Sequence, residues 1–149
     1  MSEPILKLEG VVTHIGHYHI LHGVDFDVPA NETTMLLGRN GAGKTTTLRS
    51  IMGLWNQVEG NINFKGENIA RMPTPKVAQK GIAYVPEDMG IFAMLTVKEN
   101  MVLAARSGKF DEERLEWIFN FFPPIKKFWN NPAGKLSGGQ KQMLAVARA

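Results

Sequence analysis

Apolar and polar residues alternate loosely from 5 to 12 (Ile-Leu-Lys-Leu-Glu-Gly-Val-Val), and again from 20 to 28, where Leu21, Val24, Phe26 and Val28 are apolar. A period of two predicts strands. Pro29-Ala30-Asn31-Glu32 predicts the turn that follows. Residues 33–37 are a short, β-branched, apolar run ending at a glycine, which predicts a strand buried on both faces of a parallel sheet. A helix is expected over 45–52, with Gly53 as its stop. A strand pair is expected around Lys65-Gly66, within 60–69, and a second buried parallel strand over 81–85.

After Pro86 the pattern becomes helical. Thr96-Val97-Lys98-Glu99 has capping-box spacing and opens a helix through about Ala105. Asp111-Glu112-Glu113 gives the next helix an acidic first turn. Leu115, Ile118, Phe119 and Phe122 recur on one face of it, and Pro123-Pro124 ends it. The expected organisation is a mixed sheet unit over 1–86 and a small helical unit over 87–149. Residues 141–149 read as a helix still in progress, with no glycine, proline or cap to stop it, so the sequence reads as truncated.

Composition narrows the classes. At 149 residues, 44% hydrophobic and 21% charged, the chain fits one soluble globular domain. A net charge of +3 suits an anionic ligand or a membrane surface without demanding nucleic acid. The absence of cysteine excludes disulfides and thiolate metal sites. The N-terminus lacks the basic and apolar regions of a secretory signal. No apolar run approaches the roughly 20 residues that cross a bilayer, so work at a membrane would be that of a peripheral subunit.

Two motifs carry chemistry. Gly38-Arg39-Asn40-Gly41-Ala42-Gly43-Lys44-Thr45 satisfies the P-loop pattern, with an apolar strand expected before it and a helix after it. Its glycines let backbone N–H groups wrap an oxyanion without side-chain clashes. The helix that follows offers its positive end. Lys44 is suited to the β- and γ-phosphates, the Thr45 hydroxyl to Mg²⁺, and the backbone around Thr46 to the inner phosphates. The second motif is Leu136-Ser137-Gly138-Gly139-Gln140. Ser137 and Gln140 have capping-box spacing, and Gly138 and Gly139 leave bare N–H groups at a helix start, making a second anion site.

Together these motifs resemble the ABC ATPases, the nucleotide-binding subunits of ATP-binding-cassette transporters, over essentially the whole chain. The resemblance implies a P-loop core sheet with N-terminal antiparallel strands and a small helical subdomain. It implies ATP and Mg²⁺ as cofactors. It also implies a head-to-tail dimer in which one copy's P-loop faces the partner's Ser137, Gly138, Gly139 and Gln140 across a shared ATP. Closer resemblance, to the branched-chain amino acid importer ATPases, is carried by Leu21-His22-Gly23-Val24, residues 41–48, Gly81-Ile82-Ala83-Tyr84-Val85-Pro86-Glu87 and Leu95-Thr96-Val97-Lys98-Glu99-Asn100. The partners so implied are a second ATPase subunit, identical or different, membrane permeases and, indirectly, a periplasmic binding protein. The place implied is the cytoplasmic side of the inner membrane. Importers of urea and short amides share the pattern. A cassette ATPase acting on nucleic acid is the alternative class, but the segment between the motifs has no heptads, cysteines or basic-aromatic track.

The chain departs from the family pattern in three places. Glu87 stands where most cassettes have glutamine; a carboxylate there also suits Mg²⁺, directly or through water. Ile15 stands where many cassettes stack adenine on an aromatic ring, and Tyr18 is a candidate substitute. The family's downstream aspartate, its general-base glutamate and the strands flanking 33–37 are not in this sequence, which the resemblance makes an incomplete catalyst. Two further features lie outside the motifs. His14, His17, His19 and His22 are read as surface strand residues rather than a metal site, with His17 and His19 on one face. The dense aromatics Phe119, Phe121, Phe122, Phe128 and Trp129 are read as the core of the helical unit, some of them lining a groove for a permease helix.

Overall fold

A computed structural model describes residues 3–105 and 108–149. They divide into two compact units, one ending at Ile82 and the other beginning at Ala83.

The first unit is built on an antiparallel sheet of order β2-β1-β3-β4. Strand β1 (Leu6–Ile15) pairs with β2 (Tyr18–Val28) through a tight turn, and with β3 (Gln57–Phe64), which pairs with the short β4 (Glu67–Asn68). Alternation, reset by an irregularity of the ladder between Leu8 and Val11, puts both of these and Leu21, with Val58 and Ile62, into the core. Helix α1 (Lys44–Ile51) joins them through Ile51 and through a buried hydrogen bond between Thr13 Oγ1 and Ser50 Oγ, 2.8 Å.

The C-terminus of α1 is a Schellman motif, in which the last carbonyls are satisfied by the two residues past the cap. Leu54 N–H donates to Arg49 O and Gly53 N–H to Ser50 O, with Gly53 at φ 68°. A Cβ on Gly53 would collide with the Met72 carbonyl, so the expected stop also makes a close backbone approach.

Two expected strands do not form. Residues 33–37 belong to no ladder and are exposed, Met35 at 74% and Leu37 at 78%. Residues 81–85 are likewise unpaired. An apolar run becomes a strand only when a neighbour meets its N–H and C=O groups, and neither segment has such a neighbour among the described residues. Helix α2 (Thr74–Gln79) was not expected; its prolines lie in its N-cap and first turn, where they start a helix rather than stop one.

The second unit is helical: α3 (Val97–Ala104), α4 (Glu112–Phe121), α5 (Pro123–Lys127), a single 3₁₀ turn at Ala133–Lys135, and α6 (Gly138–Ala147). Thr96 caps α3 with both halves of the expected capping box. Pro123-Pro124 ends α4 as expected and at once opens α5, for the same reason as in α2. Val97, Met101, Ile118, Ile125, Leu136 and Leu144 form the core of this unit, with Phe119, Phe122, Phe128 and Trp129 packed against it. Phe121 departs from the expected core. It is 63% exposed and stacks on Trp117, itself exposed, with ring centroids 4.6 Å apart.

Candidate functional site

The phosphate-loop motif is closed on itself. Lys44 Nζ donates to the carbonyls of Gly38 (2.7 Å) and Arg39 (2.8 Å), and Ala42 N–H returns to Arg39 O. The lysine thereby curls residues 38–44 into a ring. Gly43 is the N-cap of α1, in the left-handed region at φ 91°. That backbone region favours glycine, and a Cβ there would also lie 2.7 Å from Leu21 Cδ2, so the Leu21 side chain of β2 would have to shift. No side chain caps α1 and no acidic residue sits in its first turn. The first N–H groups of the helix therefore lack internal partners and form an anion-accepting end. Thr47 Oγ1 donates to Gly43 O and Ser50 Oγ to Thr46 O, whereas the exposed Thr45 hydroxyl engages no partner among the described residues. Gly41, Ala42 and Asn40 lie exposed on the same loop.

In the second unit, Ser137 is the N-cap of α6. Gln140 N–H donates to Ser137 Oγ (3.3 Å), and Ser137 N–H donates to Gln140 Oε1 (2.9 Å). The box consumes the acceptor side of the hydroxyl and leaves its proton to donate outward. Gly138 and Gly139 are exposed, and an added Cβ on either meets nothing within 4 Å. Gln140 thus spends its side chain on shaping the helix start, while Ser137 and the two glycines present donors.

Glu87 is exposed at the start of a turn over 87–90, with no partner among the described residues. The Thr45 hydroxyl in the first unit and the Glu87 carboxylate in the second are each a hard oxygen donor of the kind Mg²⁺ takes, so the chemistry of each fits that ion. Among the described residues no group of three or more His, Asp or Glu is placed to hold a metal. His14 instead stacks on His19, with centroids 4.4 Å apart, and His22 lies tilted against His19 at 3.9 Å. His17 stands in the hairpin turn, off the strand face it was expected to share with His19. Tyr18 opens β2 at 75% exposure. No helix is long and apolar enough to cross a membrane among the described residues.

Two residues at this turn escaped the sequence reading. Asn100, fully buried on α3, accepts from Phe92 N–H and donates to the carbonyls of Phe92 and Thr96. Arg148, at the end of α6, donates from Nη1 to Gly90 O at 2.7 Å. The available signal for Arg148 was a lone charge closing an otherwise apolar helical run.

The family described as ABC transporter matches residues 21–149. The chain is 35% identical over 147 residues to the high-affinity branched-chain amino acid transport ATP-binding protein BraG of Pseudomonas aeruginosa, covering 97% of this chain and 63% of that protein. It is 41% identical over 133 residues to the probable branched-chain amino acid transport ATP-binding protein LivF of Archaeoglobus fulgidus, covering 88% and 56%. It is also 36% identical over 149 residues to the lipopolysaccharide export system ATP-binding protein LptB of Haemophilus influenzae, covering 97% and 62%. A solved ATP-binding cassette of an ABC transporter superposes with a TM-score of 0.81 at 26% identity, over 99% of this chain and 65% of that one. The chain thus spans less than two thirds of each relative's length. With a glycine loop at one helix start, two bare glycines at another and a family match over most of its residues, the chain belongs to the ABC transporter family.

Proposed function

We propose that this chain is the ATP-binding part of an ABC importer subunit that couples ATP binding and hydrolysis, at a head-to-tail pair of cassettes, to uptake of branched-chain amino acids. One observation carries the nucleotide half of this reading. Helix α1 begins without any side-chain cap behind a glycine loop that Lys44 closes. That is a phosphate receptor built from backbone N–H groups, with a cation at its edge. In this reading Gly38, Asn40, Gly41, Ala42, Gly43, Lys44, Thr45 and Thr46 hold the triphosphate. Lys44 transfers its hydrogen bonds from the loop carbonyls to the β- and γ-oxygens. Thr45 and Glu87 are the residues that would hold Mg²⁺, which when bound neutralises charge on those oxygens. Ser137, Gly138 and Gly139 meet the γ-phosphate of the partner's nucleotide. None of these side chains is assigned as the general base.

The proposed organisation is a core over 1–86 and a helical subdomain over 87–149. The proposed partners are a second cassette subunit and membrane permeases on the cytoplasmic side of the membrane, fed by a periplasmic binding protein. The choice of solute is supported by the names of BraG and LivF. The chain is also similar to LptB, whose name gives it a lipopolysaccharide export system, so transport is the measurement that decides. Cells lacking the full-length protein are complemented with wild type or Lys44→Ala, and uptake of labelled leucine, isoleucine, valine and urea is followed. Restoration of branched-chain uptake by wild type alone is expected. Restoration of urea uptake instead, or of none, overturns the assignment of solute.

A further inference from the structure

We propose that Arg148 is a positioning residue, which from the far end of α6 fixes the turn that carries Glu87, so that Glu87 and the donors of Ser137, Gly138 and Gly139 are held by one rigid helix. The proposal rests on the assignment of Glu87 to the nucleotide site made above.

The turn needs holding. Met89 N–H donates to Pro86 O (2.9 Å), and the chain then passes through two successive left-handed residues, Met89 at φ 63° and Gly90 at φ 57°. For methionine that region is sparsely populated, and it persists only where surroundings enforce it. The enforcement comes from two polar side chains. Asn100 pins the N–H and the carbonyl of Phe92, and Arg148 Nη1 pins the carbonyl of Gly90 while its guanidinium lies 5.5 Å from the Phe92 ring centroid.

Arg148 is an unusual choice for a residue that merely fills space. Its Nε is buried with no acceptor among the described residues, and burial lowers its pKa from the ordinary arginine value. An arginine free to turn outward would give all its donors to water. Here it forgoes part of that hydration to reach one backbone carbonyl, 58 positions away in sequence. The same segment is tied to the 3₁₀ turn at Ala133–Lys135, which leads into α6. Gly134 N–H donates to Ala93 O and Ala133 N–H to Leu95 O, both at 2.8 Å, just before Ser137. The stretch from Gly90 to Leu95 is therefore fastened to the turn that leads into α6 and to the C-cap residue that closes it, the helix between being about 15 Å long. A phosphate met by Ser137 pulls on the element that holds Glu87.

The test uses the full-length protein with Arg148→Met, which keeps an unbranched apolar stem and removes the donor. In the nucleotide-free protein the Met89 amide should exchange with solvent about 10-fold faster, while the Glu99 and Gln140 amides, held by their own capping boxes, stay unchanged. ATP turnover is then measured against Mg²⁺ in a double-mutant cycle with Glu87→Ala. Arg148→Met should raise the Mg²⁺ needed for half-maximal turnover about 10-fold when Glu87 is present, and change it by less than about twofold when Glu87 is alanine. Arg148→Lys keeps a donor and should recover slow Met89 exchange. If Arg148→Met does not fold, Arg148→Leu is read in its place. Unchanged Met89 exchange, or an equal loss in both backgrounds, overturns the proposal. If Glu87→Ala alone leaves turnover and its Mg²⁺ dependence unaltered, the assignment of Glu87 itself has failed, and that control separates the two failures.

Discussion

Thr13 Oγ1 donates to Ser50 Oγ at 2.8 Å, inside the first unit. The direction follows from proton count: Ser50 has one hydroxyl proton and gives it to Thr46 O, so Thr13 must be the donor. The pair ties the helix behind the phosphate loop to the central strand of the sheet. With Leu21 against Gly43, it makes the sheet the floor on which the loop rests.

Thr13→Val keeps the shape of the side chain and removes the donor. Because Ser50 keeps its bond to Thr46 O, no buried proton is orphaned. The loss should be about 1 kcal/mol, the net value of one hydrogen bond. Urea denaturation with an unchanged m-value checks it. A loss of more than about 3 kcal/mol would mean that the threonine holds more than this contact.

Much of this was legible in the sequence, for a common reason: the cause was local. Strands β1 and β2 follow from alternation, although the turn between them at Gly16-His17 was not foreseen. The two capping boxes follow from spacing, and the end of α1 from Gly53. What failed depended on remote partners. Residues 33–37 and 81–85 carry strand composition, but a ladder needs a neighbour, which composition does not supply. Pro123-Pro124 was read only as a stop, because nothing local distinguishes a first-turn proline from a terminating one. Phe121 and Phe122 are adjacent and alike in composition, yet one faces solvent and the other packs on the core. Within the site, glycines and caps were legible, while Asn100 and Arg148 were not. Their roles lie in carbonyls of a turn that the helical period does not encode.

Acid should weaken the second unit through Glu99. Its carboxylate accepts from Thr96 N–H (2.7 Å) and Thr96 Oγ1 (2.8 Å), and these bonds, the backbone one foremost, hold its pKa below the ordinary 4.5. A depressed carboxylate contributes stability above the unfolded value and loses it as pH falls through the folded one. Glu99→Gln still accepts from Thr96 but does not titrate. Wild type should therefore lose its advantage over the glutamine variant as pH drops from 6 to below about 4. Urea midpoints at several pH values measure this. A difference that is flat across that range contradicts the assignment.

Lys44 offers a second kind of test, because its ammonium has two roles in turn. It closes the loop against Gly38 and Arg39 in the structure, and it meets phosphate in the proposed complex. Lys44→Ala should weaken Mg-ATP binding by about 2–3 kcal/mol, roughly 30- to 150-fold in Kd, as for a lost charge-assisted contact. Thermal stability without nucleotide should hardly change, since the lysine's loop bonds are exposed. Titration calorimetry and a melting curve separate the two effects. An unaltered Kd refutes the role of Lys44.

The last prediction concerns Gly138, where structure and proposed function pull in opposite directions. An added side chain meets nothing within 4 Å, and the residue is the first of α6, where a negative charge favours the helix. Gly138→Asp should therefore fold at least as well as wild type. Yet it places a carboxylate beside donors proposed for a γ-phosphate, and two anions at one helix start repel. If those donors serve the partner's nucleotide, each subunit still binds ATP on its own phosphate loop. The Kd for Mg-ATP should then stay within about twofold, while ATP-driven association of full-length subunits is lost. Calorimetry gives the first quantity and size-exclusion chromatography with ATP the second. Loss of binding in the isolated subunit would place Gly138 in the same nucleotide site as Lys44 and end the two-subunit reading. Intact association would remove the glycine from the phosphate contact altogether.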